Sequence, residues 1–121
     1  MIVIVAGSRD ITNYEIVKTV IQRSKFVITE FVSGRAKRGV DALGERYAIE
    51  HGFVPRLFPA DWDQYGKGAG FIRNQQMADY ADALIAVMIS GGSPGTKDMV
   101  NRMRKAGKPV QLAIVRLSKG T

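Results

Sequence analysis

The sequence predicts one α/β domain built on a mostly parallel, five-stranded sheet covered on both faces, a doubly wound arrangement. Three observations predict it. Short, continuous apolar runs alternate along the chain with stretches of helical periodicity. Most of these runs stop at Gly or Ser, so the chain turns at once into the next helix. Runs apolar on both faces are what a parallel strand needs when helices cover it from either side.

The elements follow in order. Ile2 to Ala6 is a first strand, ended by Gly7. Thr12 and Glu15 have capping-box spacing, and Ile16, Val17, Val20 and Ile21 behind them repeat as a helix does. Phe26 to Val32 reads as strand two, broken by Ser33-Gly34. Val40 to Glu50 is a helix with Leu43, Tyr47 and Ala48 on one stripe and Gly52 as its stop. Phe53 to Phe58 is a third strand, and Pro55 inside it demands an edge position. Phe71 to Ala81 is helical, with Met77 and Ala78 inward. Ala83 to Ile89 is strand four, Pro94 to Ala106 a helix with Pro in its first turn, and Pro109 to Val115 strand five. Residues 1–117 form the domain and 118–121 a tail.

Composition narrows the chemistry. A chain of 121 residues supports one core. It has no cysteine, which removes disulfides, thiolate metal sites and a cysteine nucleophile. With a single histidine, His51, no metal site is expected; His51 sits at a helix end, where a capping role outweighs catalysis. No apolar run reaches the length of a membrane span, and the apolar start meets Gly7-Ser8-Arg9-Asp10 too early for a signal peptide. A cytoplasmic protein with no membrane partner is expected. The net charge of +7 is concentrated at the end: residues 97–121 hold seven Lys/Arg against Asp98 alone. Such a segment is a solvated face or a surface for phosphate-rich partners, nucleic acid included.

In a parallel sheet the loops after the strands gather at one edge, where ligands bind in this class of fold. Four loops qualify. Gly7-Ser8-Arg9 follows strand one, and Arg9 has the planar fork that grips phosphate. Ser33-Gly34 through Asp41 follows strand two, and Asp61-Trp62-Asp63 follows strand three, its indole able to stack on a base or to cover a core edge. Gly91-Gly92-Ser93-Pro94-Gly95-Thr96 follows strand four and opens a helix; glycines admit an anion to backbone N–H groups, and the helix N-terminus attracts it. The same residues also suit a plain turn. Gly66 to Asn74 places three glycines before a helix, with Arg73 and Asn74 expected in its first turn, where an Arg opposes the dipole and so points to function.

Taken together these segments resemble the YspA-type members of the SLOG superfamily, formerly a domain of unknown function and related to the LOG phosphoribohydrolases and to the nucleotide-binding fold of DprA. The matching pieces are Ala6 to Asp10, Ser33-Gly34 through Gly39-Val40-Asp41, Ala60 to Lys67, Ala69 to Met77, and Gly91 to Thr96. The resemblance implies a Rossmann-like sheet, a nucleotide-type ligand and a homo-oligomer. In the LOG enzymes a helix Arg and a Glu three residues past the Gly-Thr cleave the N-glycosidic bond of a nucleoside monophosphate. Arg73 resembles that Arg. The Glu position is Met99 here, and Asp98 stands one residue early, about 100° away around a helix.

Three functions therefore compete. The favoured one is binding of a nucleotide or nucleotide-derived phosphate ligand as a sensor or processing domain, with no further cofactor, through Gly7, Ser8, Arg9, Gly34, Asp41, Asp61, Trp62, Arg73, Asn74, Gly91, Gly92, Gly95 and Thr96. The second is a nucleotide N-glycosidase of the phosphoribohydrolase type, with Arg73 and Asp98 as its catalytic pair. The third is weak nucleic-acid binding through the basic C-terminal quarter.

Overall fold

The computed structural model describes residues 1–116. The tail expected at 118–121, and residue 117, lie outside the described residues. The elements run β1 (Ile2–Gly7), α1 (Tyr14–Arg23), β2 (Glu30–Ser33), α2 (Val40–Glu50), β3 (Arg56–Leu57), α3 (Trp62–Tyr65), a 3₁₀ turn (Gly66–Gly68), α4 (Ala69–Tyr80), β4 (Ala83–Ile89), α5 (Pro94–Lys105) and β5 (Val110–Val115). The five strands form one sheet in the order β3-β2-β1-β4-β5, and every pairing is parallel. This is the Rossmann-like, doubly wound sheet that the apolar runs predict.

Alternation along each strand divides the core in two. Val3 and Val5 of β1 with Ile85 and Val87 of β4 face α1 and α2, meeting Val17, Ile21, Val40 and Ala48. Ile4, Leu84 and Ala86 face the other way, onto Met77 and Ala78 of α4 and Met99, Val100 and Met103 of α5. The helices change sides between β1 and β4, so the strand order reverses there and a crevice opens at the carboxyl ends of the strands.

Several boundaries differ from the sequence expectation, each for a local reason. Helix α1 starts one residue late: Asn13, not Thr12, is its N-cap, and its side chain accepts from the Glu15 N–H at 3.0 Å. Strand β2 is four residues long; Phe26 and Ile28 are apolar because they tuck against the α1–α2 core from a loop, which turns at Lys25 with φ +61°. Strand β3 shrinks to two residues at the sheet edge. Phe53 belongs to the stop of α2: Gly52 takes φ +84°, and the Phe53 N–H returns to the Ala48 carbonyl at 2.8 Å while its ring meets Phe31 edge-on. His51 is the C-cap of that helix, stacked on Tyr47, in keeping with its expected capping role. Among the described residues no helix is long and apolar enough to cross a membrane.

Candidate functional site

A cavity of about 430 Å³ occupies the crevice at the switch point, walled by the loops after β1, β2 and β4 and by α3 and α4. The floor is a set of close approaches. A Cβ on Gly7 would lie 1.8 Å from the Val87 carbonyl oxygen and 2.8 Å from Val40, so only glycine lets β1 leave the sheet here. Ser8 buckles the same corner: its N–H donates to Val87 O at 3.1 Å and its carbonyl accepts from Val40 N–H at 3.2 Å, while its hydroxyl oxygen accepts from Ile89 N–H at 3.1 Å. Arg9 and Asp10 continue from Ser8 into the wall, both exposed.

The β2 side is held by two carboxylates of α2. Glu45, buried, accepts from the Ser33 hydroxyl at 2.7 Å and pairs with Arg35. That residue is in the left-handed region at φ +63°, and its N–H donates back to Ser33 Oγ at 3.0 Å. Asp41, in the first turn of α2, is 7% exposed and accepts from the Ala36 N–H at 3.1 Å. Burial pushes the Asp41 carboxyl above its ordinary value; the Ala36 N–H and the Arg73 guanidinium oppose that rise, and Glu45 adds to it.

Arg73 crosses from the other side of the sheet. Its Nη1 donates to the Gly34 carbonyl, and its Nε donates to the Asn74 side chain at 3.0 Å. Gly34 is needed for this reach: a Cβ there would stand 2.7 Å from Arg73 Nη1 and 3.2 Å from Asp41 Oδ2. Desolvation lowers the Arg73 pKa from its usual value, with Arg9 pushing the same way and Asp41 opposing it. Because α4 begins at Ala69, Arg73 lies one turn inside the helix and not in its first turn. The conflict with the dipole that the sequence suggested therefore disappears, and the Gly34 carbonyl and Asp41 account for its position.

The β4 side is open. Helix α5 has Ser93 as N-cap and Pro94 in its first turn, with no side-chain cap bond and no acidic residue there. The Ser93 hydroxyl instead accepts from the Thr96 hydroxyl at 3.1 Å. The N–H groups of Gly95 and Thr96 are left at a positive helix end that faces the cavity. A Cβ on Gly95 would meet nothing within 4 Å. Opposite, Trp62 and Phe71 are 54% and 47% exposed at the cavity mouth, and the indole lies over Gly70.

Of the residues expected from sequence, Gly7, Ser8, Arg9, Asp41, Trp62, Arg73, Asn74, Gly92, Gly95 and Thr96 come together in this wall. Gly34, Asp61, Gly91 and Asp98 do not line it. Gly34 acts from behind through its carbonyl. Asp61 caps α3, accepting from Gln64 N–H at 3.1 Å. Gly91 forms the turn after β4 with φ +90°. Asp98 accepts from Asn74 Nδ2 at 3.0 Å and from Arg102 Nε at 2.7 Å, which ties α5 to α4, while Met99 takes the place on the cavity wall. Lys67 and Phe71 also line the cavity. Sequence reasoning missed them; their signal lay in the glycine-rich Gly66–Asn74 stretch, but the short helix α3 that folds this stretch over the crevice has no periodicity to read. Among the described residues, no group of His, Asp and Glu could hold a metal ion.

Fold and site define a doubly wound α/β domain whose crevice carries an uncapped helix end, two arginines and one buried carboxylate. The chain matches the YspA, cpYpsA-related SLOG family (YAcAr) over residues 1–65, more than half its length, and belongs to that family. Membership points at a general level to nucleotide-related ligand binding or processing. The Gene 61 protein of Mycobacterium phage D29 is 39% identical over 79 residues, covering 60% of this chain and 62% of that protein, so the match spans less than two thirds of the relative's length. No solved structure matches the chain. The family match ends at α3, so Arg73 and the Gly92–Thr96 loop enter the site on geometry alone.

Proposed function

We propose that the crevice binds a nucleotide or nucleotide-derived phosphate ligand. The observation that carries this reading is the uncapped N-terminus of α5, open at Gly95 and Thr96, facing Arg73 and Arg9 across one cavity. Backbone N–H groups at a positive helix end and a planar guanidinium are complementary to a phosphate. The exposed faces of Trp62 and Phe71 at the mouth suit a base. A volume of about 430 Å³ lies in the range of small-ligand sites.

Mass spectrometry of small molecules released from the purified protein, with calorimetry against a nucleotide panel, tests the reading. A nucleotide recovered or bound supports it. Arg73→Ala should then weaken binding by about 1.5–3 kcal/mol, the range for a hydrogen bond to a charged group; unchanged affinity removes Arg73 from the site. No nucleotide bound, together with oligonucleotide affinity that falls steeply with salt, would assign function to the exposed basic face of Lys97, Arg104 and Lys105 instead.

A further inference from the structure

The crevice lies at the carboxyl edge of the sheet. A second cavity, of about 220 Å³, lies at the amino edge on the α1–α2 face, and the two share no lining residue. It sits where the ends of α1 and α2 meet the loop before β2. Its inner wall is aromatic. Phe31 of β2 is 3% exposed and meets Tyr47 and Phe53 edge-on, with ring centroids 5.7 and 5.1 Å away. The His51 ring stacks on Tyr47 at 3.9 Å. Phe26 and Ile28 add a further wall from the loop. An apolar hollow of roughly 150 Å³ already accepts a benzene ring.

The rim carries charge of one sign. Lys25 and His51 line the cavity, and no Asp or Glu does. Among the described residues no carboxylate pairs with Lys25. Glu50, next to His51 in the chain, is held by the Tyr14 hydroxyl at 2.6 Å and by Arg46 Nε at 2.9 Å. His51 Nδ1 donates to the Tyr47 carbonyl at 2.8 Å, which leaves Nε2 as the ring nitrogen for another partner.

The backbone of Lys25 is a second, independent observation. It takes φ +61° directly after Ser24, the C-cap of α1, where helices commonly place glycine. Ser24 fixes the turn: its hydroxyl donates to the Ile21 carbonyl at 2.7 Å and accepts from the Phe26 N–H at 3.3 Å. Glycine would make this turn without strain. A lysine there adds strain and sets an ammonium at the rim.

We propose that this cavity is a second ligand site, for a small aromatic carboxylate. The ring seats among Phe26, Phe31 and Phe53, and the carboxylate meets Lys25 and His51 at the rim. A neutral ring leaves the ammonium without a counter-charge, and an aromatic cation is repelled by it. The site stands apart from the nucleotide reading, because none of its residues lines the crevice.

The test is an NMR titration of the full, isotope-labelled chain with three probes of similar size: phenylacetate, benzyl alcohol and benzylamine. Phenylacetate should shift the resonances of Phe26, Phe31, Tyr47 and Phe53. It should bind at least about tenfold more tightly than benzyl alcohol, the low end for a hydrogen bond to a charged group. Benzylamine should bind more weakly than either. Lys25→Gly keeps the turn and removes the ammonium, so it should fold as the parent does and lose the preference for phenylacetate over benzyl alcohol. Equal affinities for the three probes, or full phenylacetate affinity in Lys25→Gly, overturn the proposal. So do shifts confined to Trp62, Arg73 and Thr96, since the arginines of the crevice also attract a carboxylate. A cavity that answers no probe overturns it as well; if the exposed Val27 and Val54 then broaden with protein concentration, the occupant is a second copy of the chain.

Discussion

On the β1 side of the crevice, a Cβ placed on Gly7 would stand 1.8 Å from a backbone oxygen, and one on Gly39 would stand 2.4 Å from Arg9 Cα. On the β4 side, a Cβ placed on Gly91 or Gly95 would meet nothing within 4 Å. Both turns are built around glycine and serine and lie at one sheet edge. In the first, glycine permits contact between backbone segments that must touch for the sheet and α2 to close. In the second, glycine leaves a helix end bare. A glycine-rich turn thus reports either packing or an opening, and the atoms around it decide which.

The largest effect that would break this contrast is on stability at the closed side. Gly7→Ala pushes a methyl into the Val87 carbonyl, a backbone atom that cannot step aside. It should cost about 3 kcal/mol or more, the upper end of overpacking penalties, measured by urea denaturation. A loss below about 1 kcal/mol would mean that the closed side is not closed.

At the open side, Gly95→Leu should alter stability by less than about 1 kcal/mol, because it replaces a poor helix former with a good one in empty space. Nucleotide binding should nevertheless fall below detection in calorimetry. Retained binding in the folded variant would reduce the β4 loop to a turn. Between the two sides, Asp98→Ala removes the acceptor shared by Asn74 and Arg102. It should cost roughly 1–2 kcal/mol of stability, near the range for hydrogen bonds to a charged group. Ligand affinity should shift less than it does for Arg73→Ala. The reverse ranking would make Asp98 a ligand group.

The smallest effect concerns pH. The folded Asp41 holds its proton above the ordinary value of 3.8, chiefly through burial. Below that value both folded and unfolded chains are protonated and Asp41 contributes no slope. As pH rises from there the unfolded chain releases the proton first, so stability declines until the folded group has titrated too. Asp41→Asn removes this decline and should be no less stable than the parent at neutral pH, in thermal melts taken from pH 4 to 8. Parallel profiles for the two chains would contradict the buried, proton-holding carboxyl.

Much of this arrangement is legible in the sequence. Period and turn chemistry placed α2, β4 and α5 within a residue of where they lie, because a buried strand and an amphipathic helix leave local patterns. Pro55 placed β3 at an edge. Illegible were the features that depend on distant partners. The apolar residues Phe26, Ile28 and Phe53 look like strand, yet they serve the core from a loop and a helix stop.

By itself the sequence determined the five strands and the four longer helices, the parallel sense of the sheet and the four loops that meet at its edge, since these follow from local periodicity and from chain connectivity. Only the tertiary structure decided that Gly34 offers a carbonyl and no wall to the cavity, that Asp98 braces two helices, and that Asp41 is the carboxylate sealed beside Arg73. Those assignments depend on distances between residues 24 to 39 positions apart in the chain, and burial and pairing across such separations leave no trace in local pattern.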